Sequence, residues 1–549
     1  MTKTESTNPT NVAKLTGDFV YGSLALSPIS ATQAGYHTHN GAALDEMLDD
    51  MSPAGMSAQR SFYTGIQNRA ATLDRESLDK EQEADLEIIK SNVALSLLEL
   101  DTIQNYKHNP TVYVEAAGAA LFAPYVLNYA PIEKRFEQIA KRIEKMPEFF
   151  ENAKGNLIDA PEVWNRVAQE ENQGNIDLID KTLRGAVPPP QKAAFEAAAA
   201  KAIPALRKFN SWLKDTLSRK TSDWRLGREK YGRKFEYTLA TGKTPEQLLA
   251  EAEAELKKTR EEMAKLAAPK SIKQALDDVA KQHAAPDTYM NEARNTLEQA
   301  TSFVRDKGLL TVPTSGNLQV IETPEFMRGI YAVGGFNPAP ALEPQLGAYY
   351  WVTPIPKSWS KERAESKLRE YNNYGLQHLT VHEAMPGHYV QFEYANHVEP
   401  TWRRALRSIY GNGPYIEGWA FYTQQMMTDE GYLAGQAGMR LTLYKQILRG
   451  VANTILDIRL QTMGMTDQQA LDLMINDTYQ EKEEATAKLQ RAQLSSCQLP
   501  TYFAGWQGWL DARNQYREKK GAAFSLRDFH ERALKESAVP LPVLNRLLD

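Results

Sequence analysis

The segment Val381-His382-Glu383-Ala384-Met385-Pro386-Gly387-His388 places a glutamate directly after one histidine and a second histidine six residues after the first. Neutral imidazoles are nitrogen ligands for a divalent metal, and an adjacent carboxylate can take a proton from water that the metal activates. That set of groups suits zinc-dependent hydrolysis of a peptide-like bond. In the common helical zinc motif the histidines stand four apart and share one face. Six steps of about 100° turn a regular helix by about 240° net, which sends the two rings to different sides. Pro386 has no N–H, so the carbonyl of His382 loses its helical partner. Gly387 tolerates unusual backbone angles. Together they predict a kinked or interrupted helix that brings His388 round to the metal. A rival pairing stays open, because His378 and His382 are four apart and would share a face of an unbroken helix. Three histidines within eleven residues, out of nine in the chain, argue against three ordinary core histidines.

A third ligand must come from another element. The run Gly413-Pro414-Tyr415-Ile416-Glu417-Gly418-Trp419-Ala420-Phe421-Tyr422 reads as a loop entering a helix. Pro414 suits the first turn. Glu417 then lies one turn in, near the positive helix end, which favours its ionised form. A glutamate in such a place is ordinarily a solvated charge. Its aromatic, glycine-rich setting, about 30 residues after His388, makes it the candidate third ligand. Three protein ligands leave a catalytic zinc one position for water.

The motifs HEAMPGH at 382–388 and EGWAFY at 417–422 resemble the hallmarks of the bacterial family known as domain of unknown function 885. The likeness runs from about residue 15 to the end. It includes Ala25-Leu26-Ser27-Pro28 near the start, and Phe529-His530-Glu531 with Pro540-Leu541-Pro542 at the finish. That family is regarded as similar to gluzincin metallopeptidases, including helical oligopeptidases and thermostable carboxypeptidases. The resemblance implies a helical body with a deep channel, His382, His388 and Glu417 on zinc, and Glu383 as general base. A family pattern of glutamine, tyrosine and glycine is met by Gln498, Tyr502 and Gly505, while its usual Pro-Gly pair is Ser496-Cys497 here. Tyr502 becomes the candidate donor to an oxyanion, and Gln498 a candidate substrate contact. The family commonly carries a glutamate where this chain has Gln424, which removes a carboxylate from near the metal.

These groups need a scaffold, and the chain reads as mainly α. Alanine, leucine, glutamate, lysine and glutamine dominate long stretches, and these residues lose little entropy in helices. Thr244-Pro245-Glu246-Gln247 is a capping signal for a helix running to about Ala267. Thr466 with Gln469, and Ser525 with Asp528, mark two more starts. Ala116–Leu127 is too short to cross a membrane and reads as a buried helix. Glycine and proline become frequent between Gly316 and Pro356, where Leu318–Ile321 and Ala348–Val352 are strand candidates. A small sheet is expected there, beside the zinc-motif helix. The second strand is expected to offer an edge to an extended peptide, with Tyr349 and Tyr350 as substrate contacts. Helix resumes near Lys361. A polar tail over 1–14 precedes a single helical domain over 15–549, with a soft seam near 187–225 around Val187–Pro190.

Composition bounds the partners. The 549 residues carry a net charge of −5 and are 42% hydrophobic. No basic surface is suggested, so nucleic acid is not an expected partner. The single cysteine, Cys497, excludes an internal disulfide and a multi-cysteine metal site. No run of about 18 apolar residues exists, so no membrane span is expected. The opening MTKTESTNPT has no leader pattern. It reads as cytoplasmic as written, and as periplasmic if a leader was removed. The expectation is a zinc-dependent hydrolase acting on a peptide or small amide. Alternatives are a metallohydrolase of non-peptide esters or amides, and a catalytically silent binding protein. Arg440, Arg449, Arg459 and Arg491 are candidate carboxylate anchors, with structural pairing the more ordinary role for each.

Overall fold

Helix-forming runs become helices throughout the computed structural model, which describes residues 8–323 and 334–549. The fold is mainly α, with small sheets. Among the described residues no helix is long and apolar enough to cross a membrane. Two compact units divide the chain. One holds the described residues up to Leu226 together with Pro340–Leu346 and Pro400–Ile409. The other holds Gly227–Ala339, Gly347–Glu399 and Tyr410–Asp549. The helix Asn8–Leu26 begins inside the stretch read as a polar tail, and residues 1–7 lie outside the described residues.

In the first unit the helices Ile132–Asn156 and Lys192–Asp215 pack through ring pairs, Phe136 on Phe195 and Phe150 on Phe209. The buried Asp85 binds Arg403 at 2.7 Å and Arg407 at 2.9 Å, which fastens the 400–409 segment to this unit. Both partners of the carboxylate are guanidiniums, the cation best suited to a desolvated acid.

The second unit contains every candidate site residue. Thr244 caps the helix Pro245–Ala267 with a reciprocal bond to Gln247, as the sequence predicts. Three strands follow: β1 (Leu318–Glu322), β2 (Gly334–Asn337) and β3 (Ala348–Val352). The order is β1-β3-β2, with β1 parallel and β2 antiparallel to β3. This corrects the expected peptide edge. β3 is the central strand, where Tyr349 stands opposite Gln319 on one side and Asn337 on the other. Its backbone is committed to its neighbours, and β1 and β2 are the outer strands.

The helices that carry the site are α1 (Asn373–Glu383), α2 (His388–Ala395), α3 (Gly413–Asp429), α4 (Ala437–Thr462), α5 (Lys482–Leu494), α6 (Thr501–Lys520) and α7 (Leu526–Lys535). Asn372 caps α1 by accepting from the backbone N–H groups of Tyr374 and Gly375. Asn412 caps α3 by accepting from Tyr415 N–H, with Pro414 in the first turn. Both caps satisfy donors that a helix start leaves open.

Candidate metal centre

The helix bearing the histidines is broken. α1 ends at Glu383, residues 384–387 are irregular, and His388 is the first residue of α2. The expected interruption is present, and Gly387 adopts the unusual backbone angles anticipated for it. Its φ of −73° with ψ of −129° lies outside the α and β regions. A Cβ there would stand 1.9 Å from the His382 carbonyl oxygen and 2.3 Å from that of Val381. Glycine is required because the chain doubles back onto the end of α1. The carbonyls of Pro386 and Gly387 are held from across the unit by Trp419, whose indole N–H donates at 2.8 and 3.2 Å. Buried carbonyls left without a donor are costly, so this indole stabilises the break.

The consequence is convergence. Glu417 Oε2 lies 3.5 Å from His382 Nε2 and 3.6 Å from His388 Nε2. These spacings exceed the 2.7–2.9 Å typical of a charge-assisted hydrogen bond. They leave room for an ion, since two ligands at about 2.1 Å on a tetrahedral centre stand about 3.4 Å apart. Glu417 Oε2 is buried and has no hydrogen-bond partner. Among the described residues, His382, His388 and Glu417 form the one group of three or more such side chains placed to hold a metal ion. Burial pushes the Glu417 carboxyl up, but the two facing imidazoles outweigh it and hold the group well below the usual carboxylate range. Burial lowers His388, while Glu417 and Glu383 raise it by more. Gln391 Nε2 lies 3.0 Å from His388 Nδ1, and Gln391 Oε1 has no hydrogen-bond partner, a pattern that exchanging the two amide atoms resolves. With that oxygen turned to the ring it accepts Nδ1–H, and the Nε2 lone pair faces Glu417, as a metal ligand requires.

The rival pairing is not assembled. His378 is fully buried, and its Nε2 meets the Met439 carbonyl at 3.1 Å in the core between α1 and α4. Burial depresses its pKa to about 4. Gln424 donates to the His378 carbonyl at 2.9 Å. An ionised carboxylate could not make that bond, which accounts for an amide here.

Of the remaining candidates, Glu383 is half-buried at the end of α1, and its charge reaches His388 and Tyr350. Tyr502 lies on the first turn of α6 with its ring stacked over His382 at 6.4 Å. Its hydroxyl oxygen faces Arg491 Nη2 and Gln498 Nε2, both at 3.4 Å, which leaves its own proton to point elsewhere. Gln498 therefore supports Tyr502 and also accepts from Arg491 at 3.0 Å. Tyr350 corrects a second expectation: it is fully buried, and its hydroxyl meets Thr380 on α1 at 3.2 Å. It braces the histidine helix and has no surface to offer a substrate. Tyr349 is half-buried. The strand beside the centre is β2, where Phe336 stacks on His388 at 6.4 Å.

Several supporting residues escape a reading of the motif as ligands alone. Gly418 and Gly505 touch backbone to backbone where α3 crosses α6. A Cβ on Gly418 would stand 2.3 Å from the carbonyl carbon of Gly505, and one on Gly505 would stand 2.0 Å from the Pro414 oxygen. That approach sets Tyr502 beside Glu417. Tyr422 meets His530 Nε2 at 2.8 Å, and His530 Nδ1 reaches the Leu309 carbonyl at 2.9 Å. The motif EGWAFY thus contains a candidate ligand, a contact glycine, a carbonyl clamp and a tie to α7. Its richness in glycine and aromatics was the available signal.

A mainly helical protein with a two-histidine, one-glutamate cluster at a broken helix is the class that fold and site define. The chain belongs to the family described as bacterial protein of unknown function, DUF885, which matches residues 28–548. A solved candidate lipoprotein of unknown function from Shewanella oneidensis is similar at 30% identity and a TM-score of 0.81, covering 98% of this chain and 99% of that one. A candidate lipoprotein from Colwellia psychrerythraea shares the fold at 17% identity and a TM-score of 0.81, covering 98% of each chain. No curated protein matches the chain.

Proposed function

We propose that this protein is a zinc-dependent hydrolase of peptide or related amide bonds, similar to gluzincin metallopeptidases. The observation that carries the reading is the unpartnered Glu417 oxygen, 3.5 and 3.6 Å from two imidazole nitrogens. Two nitrogens and one carboxylate oxygen are a catalytic zinc ligand set. Bound there, zinc supplies a Lewis acid that lowers the pKa of water towards about 7. Glu383 follows His382 directly and is placed to accept the proton of the attacking water and return it to the leaving amine. Tyr502 donates its hydroxyl hydrogen to the carbonyl oxygen as charge develops there. Arg491 and Gln498 contact the same hydroxyl oxygen from the side and keep that hydrogen turned towards the centre. The outer strand β2, next to His388, is the backbone available to an extended peptide.

The test is metal analysis together with hydrolysis of a mixed panel of peptides and esters. The expected result is about one zinc per chain, since three protein ligands and one water complete the site. Glu383→Gln is expected to keep the zinc and lose nearly all turnover. Protein that binds no zinc, or a Glu383→Gln variant with normal turnover, would sink the proposal. Turnover confined to esters would move it to a non-peptide hydrolase.

A further inference from the structure

The four candidate anchor arginines separate into those paired with acids and one whose hydrogen-bond partners are neutral. Arg440 is paired with Asp429 at 2.5 Å, and Arg459 with Glu253 at 2.7 Å. Arg449 is paired with Glu484 and reaches Glu370 at 3.7 Å, while Lys445 takes Glu370 at 2.7 Å. Three of the four candidate anchor arginines are thereby neutralised by acids of the fold.

Arg491 differs. Its hydrogen-bond partners are neutral, the Gln498 side-chain oxygen at 3.0 Å and the Tyr502 hydroxyl at 3.4 Å. The residue is exposed to solvent. Lys488 stands one turn earlier on α5 and is only 6% exposed. Among the described residues its ammonium meets no carboxylate at ion-pair distance and no hydrogen-bond acceptor. Its stem is covered, while the ammonium is not one of the fully buried unpartnered atoms and so stays within reach of a ligand. Around Glu370 and Glu484 stand Lys367, Lys445, Arg449 and Lys488, and Arg491 lies beside them within reach of Glu417, so cations outnumber acids. Burial and repulsion from Arg449 and Arg491 push the Lys488 ammonium well below its usual range. The cluster lacks negative charge, and the deficit lies next to the metal centre. Tyr502 touches Arg491 and stacks on His382, and the charge of Glu417 reaches both Tyr502 and Arg491.

We propose that Arg491 and Lys488 bind a carboxylate of the substrate beside the hydrolytic centre, so that the cleaved bond is close to that carboxylate. The guanidinium fork matches the planar group, and the lysine adds a point charge. The carboxylate is either the C-terminal one or an acidic side chain. This inference rests on the hydrolase reading, and its test is made separable from it.

The experiment measures binding by calorimetry to zinc-loaded Glu383→Gln protein, which requires no turnover. Three N-acetylated tripeptides serve as probes: one ending in alanine with a free carboxylate, the same peptide amidated, and an amidated peptide ending in glutamate. One acidic probe is expected to bind roughly tenfold to a hundredfold more tightly than the neutral amide, and which one identifies the carboxylate. Adding Arg491→Gln should, whatever the affinity of the neutral peptide itself, erase the difference between the acidic and the neutral probes. Arg491→Lys should retain part of it. Lys488→Met should reduce the preference while keeping the apolar stem in place. Equal binding of all three probes by the parent would overturn the proposal. So would an equal loss for all three in Arg491→Gln, which would mark Arg491 as a support for Tyr502 only. An acid preference in a protein that hydrolyses no amide would leave the carboxylate site standing and remove the hydrolase reading.

Discussion

Replacing either glycine at the α3–α6 crossing tests whether that contact assembles the site. In Gly418→Ala the new methyl would lie 2.3 Å from the Gly505 carbonyl carbon and 2.4 Å from its Cα. Non-bonded carbons settle at about 3.5–4.0 Å, so the helices must separate by more than about 1 Å. The obstruction is backbone on both sides, and no side chain can rotate out of the way. Overpacking of this kind costs about 1–3 kcal/mol, and the upper end is expected here. With a urea slope of about 3 kcal/mol per molar, the unfolding midpoint should fall by about 0.3–1 M. Gly505→Ala should behave alike, since its methyl would stand 2.0 Å from the Pro414 oxygen. Gly232→Ala is the control: it lies in the helix Gly227–Leu239, and nothing stands within 4 Å of its added methyl. That change should be neutral or stabilising by up to about 1 kcal/mol, because glycine is a poor helix former. Tryptophan fluorescence during urea unfolding follows the change, with Trp419, Trp506 and Trp509 on these two helices among the nine reporters. If Gly418→Ala and Gly505→Ala unfold at the midpoint of the Gly232→Ala control, the close crossing does not hold the site.

Trp419→Phe removes the indole N–H from the Pro386 and Gly387 carbonyls, and zinc affinity should fall about tenfold or more with every ligand intact; equilibrium titration against a chelator reads it, and unchanged affinity would show that the break stands unaided. Tyr502→Phe should lower the turnover rate by roughly a hundredfold to a thousandfold while zinc stays bound; a steady-state rate matching wild type would reduce Tyr502 to packing. Stability should fall as pH drops from about 6.5 towards 4. His378 and His530 are buried with pKa values lowered to about 4, burial being the first cause for each. The unfolded chain binds their protons at higher pH than the folded one does, so the stabilisation present above pH 6.5 is lost on acidification, by up to an order of 3 kcal/mol for each histidine. Chemical denaturation across that range checks it, and replacement of His530 by glutamine should flatten the slope.

Much of the scaffold was legible locally. The capping threonine at 244 and the proline after it set the start of Pro245–Ala267, because those residues satisfy or omit the N–H groups that a helix start leaves open. Leu318–Glu322 and Ala348–Val352 were readable from branched and aromatic residues between glycine-rich turns. The strand Gly334–Asn337 was not, since two glycines carry no strand preference and only pairing with Ala348–Val352 makes it one. That pairing also turned Ala348–Val352 from an expected edge into the centre of its sheet.

At the site, residue types and spacing alone pointed to His382, Glu383, His388 and Glu417. Six-residue spacing is incompatible with one helix face, and Pro386 leaves a carbonyl unpaired at that place. Those are properties of the backbone and need no neighbours. Whether His378 or His388 joined His382 depended on tertiary structure. Its outcome rests on contacts distant in sequence: Met439 holds the His378 ring in the core, and Trp419 holds the loop that redirects His388. Tyr502 reaches His382 only because Gly505 lets its helix lie against Gly418. The charge balance around Lys488 and Arg491 was equally hidden. Which arginine finds an acid is decided by side chains brought together from separate helices, and sequence distance carries no record of that proximity.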